Sequence, residues 1–409
     1  MYLRRIFGVA ALVLGLRPVA AQTVGDVLPP WTPGALDIHQ ISTGRGNSSL
    51  FIFPDGTTML LDAGEQTNSS PRYVSPRPDA SRTAGEWISR YVRHMLGHDA
   101  DPHLDYALVT HFHSDHMGGF SEKSRSSKDG SYKLTGITQV CDRVPIRKIF
   151  DRGWPDYNYP SPVPGPDIAN YRKFVEWQTS HSGARVERFK PGRNDQIVLV
   201  RDPKKYPEFE VRNVSSNGEV WTGVGANTRM NFPPIEQIAA EDRPSENMCS
   251  NVFRLSYGRF DYYSGGDIPG IPDEGAPLWH DIETPVAKAV GPVEVAILNH
   301  HGYIDTQNAF FVSTLRPRVW LLSVWDSAHP TAGVYRRLMS TRLYPGPRDI
   351  FATNMHEANK TVISNLKLTS EHGHIVVRVA HDGSFRVFVL DDTTESYRIQ
   401  SIHGPYESR

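Results

Sequence analysis

Cysteine is scarce in this 409-residue chain, with Cys141 and Cys249 the two present. Neither lies in a zinc-type cysteine cluster, so any metal must be held by other side chains. The two thiols either pair with each other or sit buried apart, and their spacing leaves both open. Net charge is also nearly absent: Lys+Arg 44 stand against Asp+Glu 45, a formal charge of -1. No overall basic field therefore points to nucleic acid, although a local groove can hide within such a balance. No low-complexity tract and no internal repeat is visible. Nucleophile motifs built on Ser or Cys are missing too, which leaves hydrolytic chemistry to other groups.

The only long apolar run is Ile6–Leu16, too short to span a bilayer comfortably. Arg4 and Arg5 precede it, and Arg17, Pro18 and the small residues Val19-Ala20-Ala21 follow. This order reads as an export signal over residues 1–21, cleaved after Ala21, and implies a secreted or periplasmic protein. A buried first helix fits less well, because Pro and small residues follow at once. Arg4-Arg5-Ile6-Phe7 loosely resembles a twin-arginine signal, which carries proteins across already folded.

What is present is a dense cluster of ligand-type side chains. His111, His113, Asp115 and His116 fall within six positions, directly after the apolar segment Tyr106–Val109 and before Gly118-Gly119. The apolar segment reads as a buried strand. Side chains two apart on extended backbone point the same way, so His111 and His113 can grip one ion. Asp115 and His116 suit a second borderline metal such as zinc. A polar surface turn is the bland alternative, and four such residues at this spacing weigh heavily against it.

The pattern resembles the His-x-His-x-Asp-His signature of the metallo-β-lactamase superfamily. That resemblance implies a four-layer αββα sandwich with one or two metals at the edge between its sheets. It extends beyond the first motif. Gly266-Asp267 resembles the aspartate motif whose carboxylate bridges the two metals. His300-His301-Gly302, His329-Pro330 and an Asn247-x-x-Ser250 lead resemble the branch related to the DNA-uptake protein ComEC and the phosphorylcholine esterases. On this resemblance His111 and His113 hold one metal, Asp115, His116 and His301 hold the other, and Asp267 bridges. His300 contacts substrate or supports a ligand, and His329 binds the scissile oxygen or protonates the leaving group, unless it merely starts a helix before Pro330. Asp62, in Leu61-Asp62-Ala63-Gly64, orients the metal loop. Relatives often supply a third histidine to the first metal; only His181 lies between His116 and His280, in a segment that reads as a helix end, so the first site is expected to be weaker. Zinc is the expected ion, with Mn or Fe as alternatives.

The remaining pattern gives an organisation. Residues 22–34 form a Pro-rich lead and 35–395 one domain opening β-β-β-α-β, with a helix over Ala84–Leu96. Residues 121–245 read as a long middle insertion. Its aromatic stretch is either a surface loop or a lid offering Trp154, Tyr157 and Tyr159 to a substrate. Residues 396–409 read as a tail. The expected function is an exported hydrolase using a metal-bound hydroxide on a phosphodiester or phosphate ester. A lactone, β-lactam or other carbonyl substrate is the alternative; a di-iron oxidoreductase and a non-catalytic metal binder stand further off. A nearly neutral chain suits a small or cell-envelope substrate rather than long duplex DNA, whose binding leans on cationic contacts.

Overall fold

The computed structural model describes residues 22–97 and 102–409. The export segment and His98 lie outside the described residues. Strands β1 (Leu36–Gln40), β2 (Ser49–Ile52), β3 (Thr58–Leu61), β4 (Leu104–Leu108), β5 (Ile146–Asp151) and β6 (Arg185–Arg188) open the chain. They are followed by β7 (Phe209–Ser216), β8 (Glu219–Trp221), β9 (Thr228–Met230), β10 (Val252–Tyr257), β11 (Phe260–Ser264) and β12 (Val295–Ile297). The last are β13 (Val319–Leu322), β14 (Asp349–Ala352), β15 (His374–Val379), β16 (Phe385–Leu390) and β17 (Ile399–Tyr406). They form a nine-stranded sheet in the order β17-β16-β15-β1-β2-β3-β4-β5-β6 and an eight-stranded sheet in the order β14-β13-β12-β11-β10-β7-β8-β9.

Period-two alternation places the layers. Leu36 and Ile38 of β1, Met59 and Leu61 of β3, Phe253 and Leu255 of β10 and Val319 and Leu321 of β13 meet in one core between the sheets. The other faces are closed by helices. Leu60 and Ala107 pack under a layer made of α1 (Ala84–Met95) and α3 (Gly136–Arg143), which lie against each other, with the short α2 (Ser114–Met117) and α4 (Pro166–Trp177) beside them. Ala296, Trp320 and Leu322 pack under α5 (Glu283–Val290), α6 (Ala309–Leu315) and α7 (Ala332–Met339). The result is the αββα sandwich. The opening order is β-β-β-α-β, and α1 begins at Thr83, whose side chain accepts from Glu86 N, a cap worth about 1 kcal/mol. Among the described residues no helix is long and apolar enough to cross a membrane.

Two boundaries differ from the sequence reading. Residues 396–409 are not a tail, because β17 pairs with β16 and closes an edge of the larger sheet. Residues 121–245 are not a separable insertion, because β5 and β6 extend one sheet while β7, β8 and β9 extend the other. Cys141 and Cys249 are free and buried, and burial pushes both thiols up to about 12.

Candidate metal centre

Strand β4 delivers the first motif to the seam between the sheets. Asn251, just before β10, holds it there: its N–H donates to Thr110 O and its Nδ2 to Val109 O, both at 2.8 Å. The Ser114–His116 turn is tied on its other side by three backbone bonds. Asn47 N reaches Asp115 O at 2.7 Å, Ala63 N reaches His116 O at 2.7 Å, and Glu65 N reaches Ser114 O at 2.9 Å. This contact explains Gly64, where an added Cβ would lie 1.9 Å from Asp115 O. Asp62, fully buried, accepts from Thr110 N at 2.7 Å and Asn47 Nδ2 at 3.1 Å, and sits 2.7 Å from His116 Nδ1. It therefore fixes the His116 ring with Nε2 facing inward.

The second sheet supplies the other half. After β11, Asp267 N donates to Ser250 Oγ at 3.1 Å. After β12, His300 and His301 adopt left-handed backbone, at φ 44° and 52°. Such strain costs on the order of 1–3 kcal/mol per residue and persists only where the surroundings impose it. Here His300 N donates to Gly266 O at 3.0 Å, and buried Glu283 accepts from Asn299 Nδ2, Gln307 N and Asn308 N, each at 2.7 Å. His301 Nδ1 lies 3.0 Å from Ser323 O, which makes it the donor and leaves Nε2 as a lone pair.

Two groups result. Ligand atoms of Asp115, His116, Asp267 and His301 lie within 4.8 Å of one another, and so do those of His111, His113 and Asp267. Asp267 belongs to both. Its Oδ1 lies 3.2 Å from His116 Nε2 and 3.9 Å from His301 Nε2, while Oδ2 lies 3.7 Å from His111 Nε2 and 3.8 Å from His300 Nε2. The set fits a cation. His116 Nε2 and His301 Nε2 face each other at 3.2 Å with Asp115 Oδ2 3.2 Å from the latter, so lone pairs converge where something positive must sit.

The electrostatics agree. Burial opposes a charge on Asp267, but the rings of His116, His301, His300 and His111 outweigh it and hold the carboxyl well below its usual range. Burial also opposes protonation of His116, yet Asp267, Asp62 and Asp115 raise it well above an ordinary histidine. Burial, with His116 beside it, pushes His111 well below.

Other residues fall elsewhere. His300 lines the cleft over the site, with Nδ1 2.9 Å from Asp305 Oδ1. Against its burial, Asp267 and Asp305 lift it to about 9. His329 is buried and stacks behind His301, with ring centroids 4.8 Å apart, and Trp325 packs on both. Burial and the neighbouring His301 and His300 hold it well below the usual range, which favours the neutral ring over a proton donor. His181 joins neither ligand group: it stacks on Trp177 at 5.2 Å and bonds Ser180.

Of the two readings of the aromatic stretch, surface loop or lid, the lid is not what the structure shows. Tyr157 is buried with its hydroxyl donating to Asp151, and neither it nor Trp154 or Tyr159 lines the cleft. The wall is the following segment, Pro160 to Asp167. Sequence reading also passed over Arg152, which is 1% exposed. It donates through Nε to Glu246 Oε1 at 2.7 Å, through Nη2 to Glu246 Oε2, and through Nη1 to Tyr159 O and Asn217 Oδ1, both at 3.0 Å. Glu246 in turn accepts from Phe112 N, between the two ligand histidines, at 2.8 Å.

No protein-family model matches the chain, and no curated protein matches it. Among solved structures it is similar to CmlA, a diiron β-hydroxylase from Streptomyces venezuelae, at 12% identity and a TM-score of 0.39 over 86% of this chain. The chain spans about half that protein's length, 55%. It is also similar to Zn(2+)-bound PqqB from Methylobacterium extorquens, at 10% identity and a TM-score of 0.34, covering 81% of this chain and 86% of that one. A third similar structure is the short form of human tRNase Z, at 10% identity and a TM-score of 0.29, covering 78% and 92%. The two packed sheets between helix layers, with the ordered motifs meeting at one seam, form a four-layer αββα sandwich that carries a candidate metal-binding cluster.

Proposed function

We propose that this protein is an exported metallohydrolase that cleaves a phosphodiester or phosphate ester. The observation that carries the reading is Asp267 standing in both ligand groups, one carboxylate oxygen toward each. His111, His113 and Asp267 would hold one divalent ion, and Asp115, His116, His301 and Asp267 a second, with zinc the first choice for this His/Asp set. Bound there, such ions supply Lewis-acid polarisation and a water of lowered pKa, chemistry suited to in-line displacement at phosphorus.

The chain's own residues do the rest. Asp62 and Ser323 O aim two ligand rings. His300, anchored on Asp305, presents Nε2 at the cleft, where it can hold the departing oxygen or pass it a proton. His329 positions His301 by stacking. Export is supported by the charged start, the short apolar run and the small residues before Gln22.

The test is elemental analysis of the mature protein beside a panel of p-nitrophenyl phosphodiesters, a lactone and a β-lactam. One or two equivalents of metal and turnover of a phosphodiester are expected. Turnover confined to the lactone or β-lactam overturns the substrate class. No stoichiometric metal after zinc reconstitution overturns the whole reading.

A further inference from the structure

The cleft over the ligand groups has a volume of about 600 Å³, and the charges around it are lopsided. Its lining contains one arginine and no lysine, against the carboxylates of Asp115, Asp167, Glu246 and Asp267. Arg152 is not free to receive an anion. It is 1% exposed, and Nε, Nη1 and Nη2 are all committed to Glu246, Tyr159 O and Asn217. Arg152 therefore answers Glu246, and Asp167 is left on the wall as a carboxylate outside both ligand groups with no arginine or lysine of the lining beside it. A second negative charge on the arm along this wall would lie beside Asp167, with no free arginine or lysine in the lining to meet it.

The wall points the same way. Pro160, Pro162, Pro164 and Pro166 alternate along it, and Phe112 and Trp325 lie deeper in the lining. Prolines have no backbone N–H, so every second position of this ridge offers only carbonyl oxygen and C–H surface, and where the ridge enters α4 the negative charge that a helix start favours is already supplied by Asp167.

We infer that the arm of the substrate lying along this ridge carries no negative charge: it is neutral or cationic, and partly apolar. The inference rests on the phosphoester reading, and its test separates the two. Three aryl p-nitrophenyl phosphates would be compared, differing only in the aryl 4-substituent: tert-butyl, trimethylammonio or carboxylate. Diarylphosphinates with the same arms, which have no P–O bond to cleave, would be titrated calorimetrically into the zinc-loaded protein.

The carboxylate arm should lose roughly tenfold in kcat/KM and in Kd relative to tert-butyl, the scale of one unfavourable contact in a part-solvated cleft. The trimethylammonio arm should match or exceed tert-butyl. Ser245→Lys, on the exposed rim of the cleft, should shrink the carboxylate penalty to within about threefold. Carboxylate and tert-butyl arms that bind and turn over equally would overturn the inference while leaving the phosphodiesterase reading intact. Phosphinates that keep the expected order while no phosphate diester is cleaved would uphold the charge rule and sink the phosphoester reading.

Discussion

Replacing Arg152 with Met should be the most damaging single change outside the ligand set. The guanidinium lies at 1% exposure and its partner Glu246 at 12%. Met fills a similar slot but removes four donated bonds, to both Glu246 oxygens, Tyr159 O and Asn217 Oδ1. Glu246 then keeps only Phe112 N as a partner in this contact. Breaking one side of a buried pair costs about 3–5 kcal/mol, mostly from the stranded charge. The slight exposure of Glu246 favours the lower end, about 3 kcal/mol. Glu246→Gln strands the arginine instead and should cost a similar amount. The double variant Arg152→Met/Glu246→Gln strands neither, so it should be at least about 1.5 kcal/mol more stable than additivity requires. Urea unfolding of the metal-free protein measures the cycle. Because Phe112 N lies between His111 and His113, the single variants should also lose affinity at the first ligand group, read by zinc titration against a chromophoric chelator. A cost below about 1 kcal/mol, or additive single variants, would refute this account of the clamp.

Three further outcomes are expected. Asp267→Asn should reduce bound metal below one equivalent by elemental analysis while the fold, read by circular dichroism, survives; Asp115→Ala should remove one ion, and His181→Ala neither. Burial holds His374 down to about 3, so the unfolded chain binds the extra proton below the ordinary histidine pKa of about 6.5 and stability falls as pH drops. The loss should reach about 2 kcal/mol between pH 7 and pH 5 by denaturant titration, and His374→Gln should flatten that limb. Mass spectrometry of protein recovered from outside the cytoplasm should find the mature start near Gln22, whereas an intact Met1 in a cytoplasmic fraction would refute export.

The parts of the site legible in the sequence are those whose chemistry is local. His111, His113, Asp115 and His116 occupy six positions after a strand, so period-two geometry alone shows two rings on one side. The His300-His301 pair and Asp267, each at the end of an apolar strand, were named through the family resemblance, not through spacing alone. The middle of the chain was not. In β7 the buried positions include Asn213, Ser215 and Ser216, so hydrophobic alternation fails. Asn213 is accommodated because its Nδ2 reaches Lys190 O and Gln196 Oε1, a solution no local pattern announces. Strand β17 misled for another reason: an edge strand with one solvated side and Gly404-Pro405 within it reads as irregular chain.

The groups that hold the ligands in place are the least legible, and the cause is distance along the chain. Glu246 meets Phe112 across 134 positions; Asp62, which meets His116 across 54, was named only through the family resemblance. Glu283, in α5, has no neighbour in sequence that marks it. Burial pushes its carboxyl up to about 8, while the donors Asn299 Nδ2, Gln307 N and Asn308 N pull toward the ionised form. Those three bonds brace both ends of the segment that carries His300 and His301, the two histidines on left-handed backbone. Local propensity opposes that backbone, so the packed helix layer must impose it. The histidine pair is therefore set by the second sheet's outer helix, α5. That is why the histidines could be named from sequence while the reason they point inward could not.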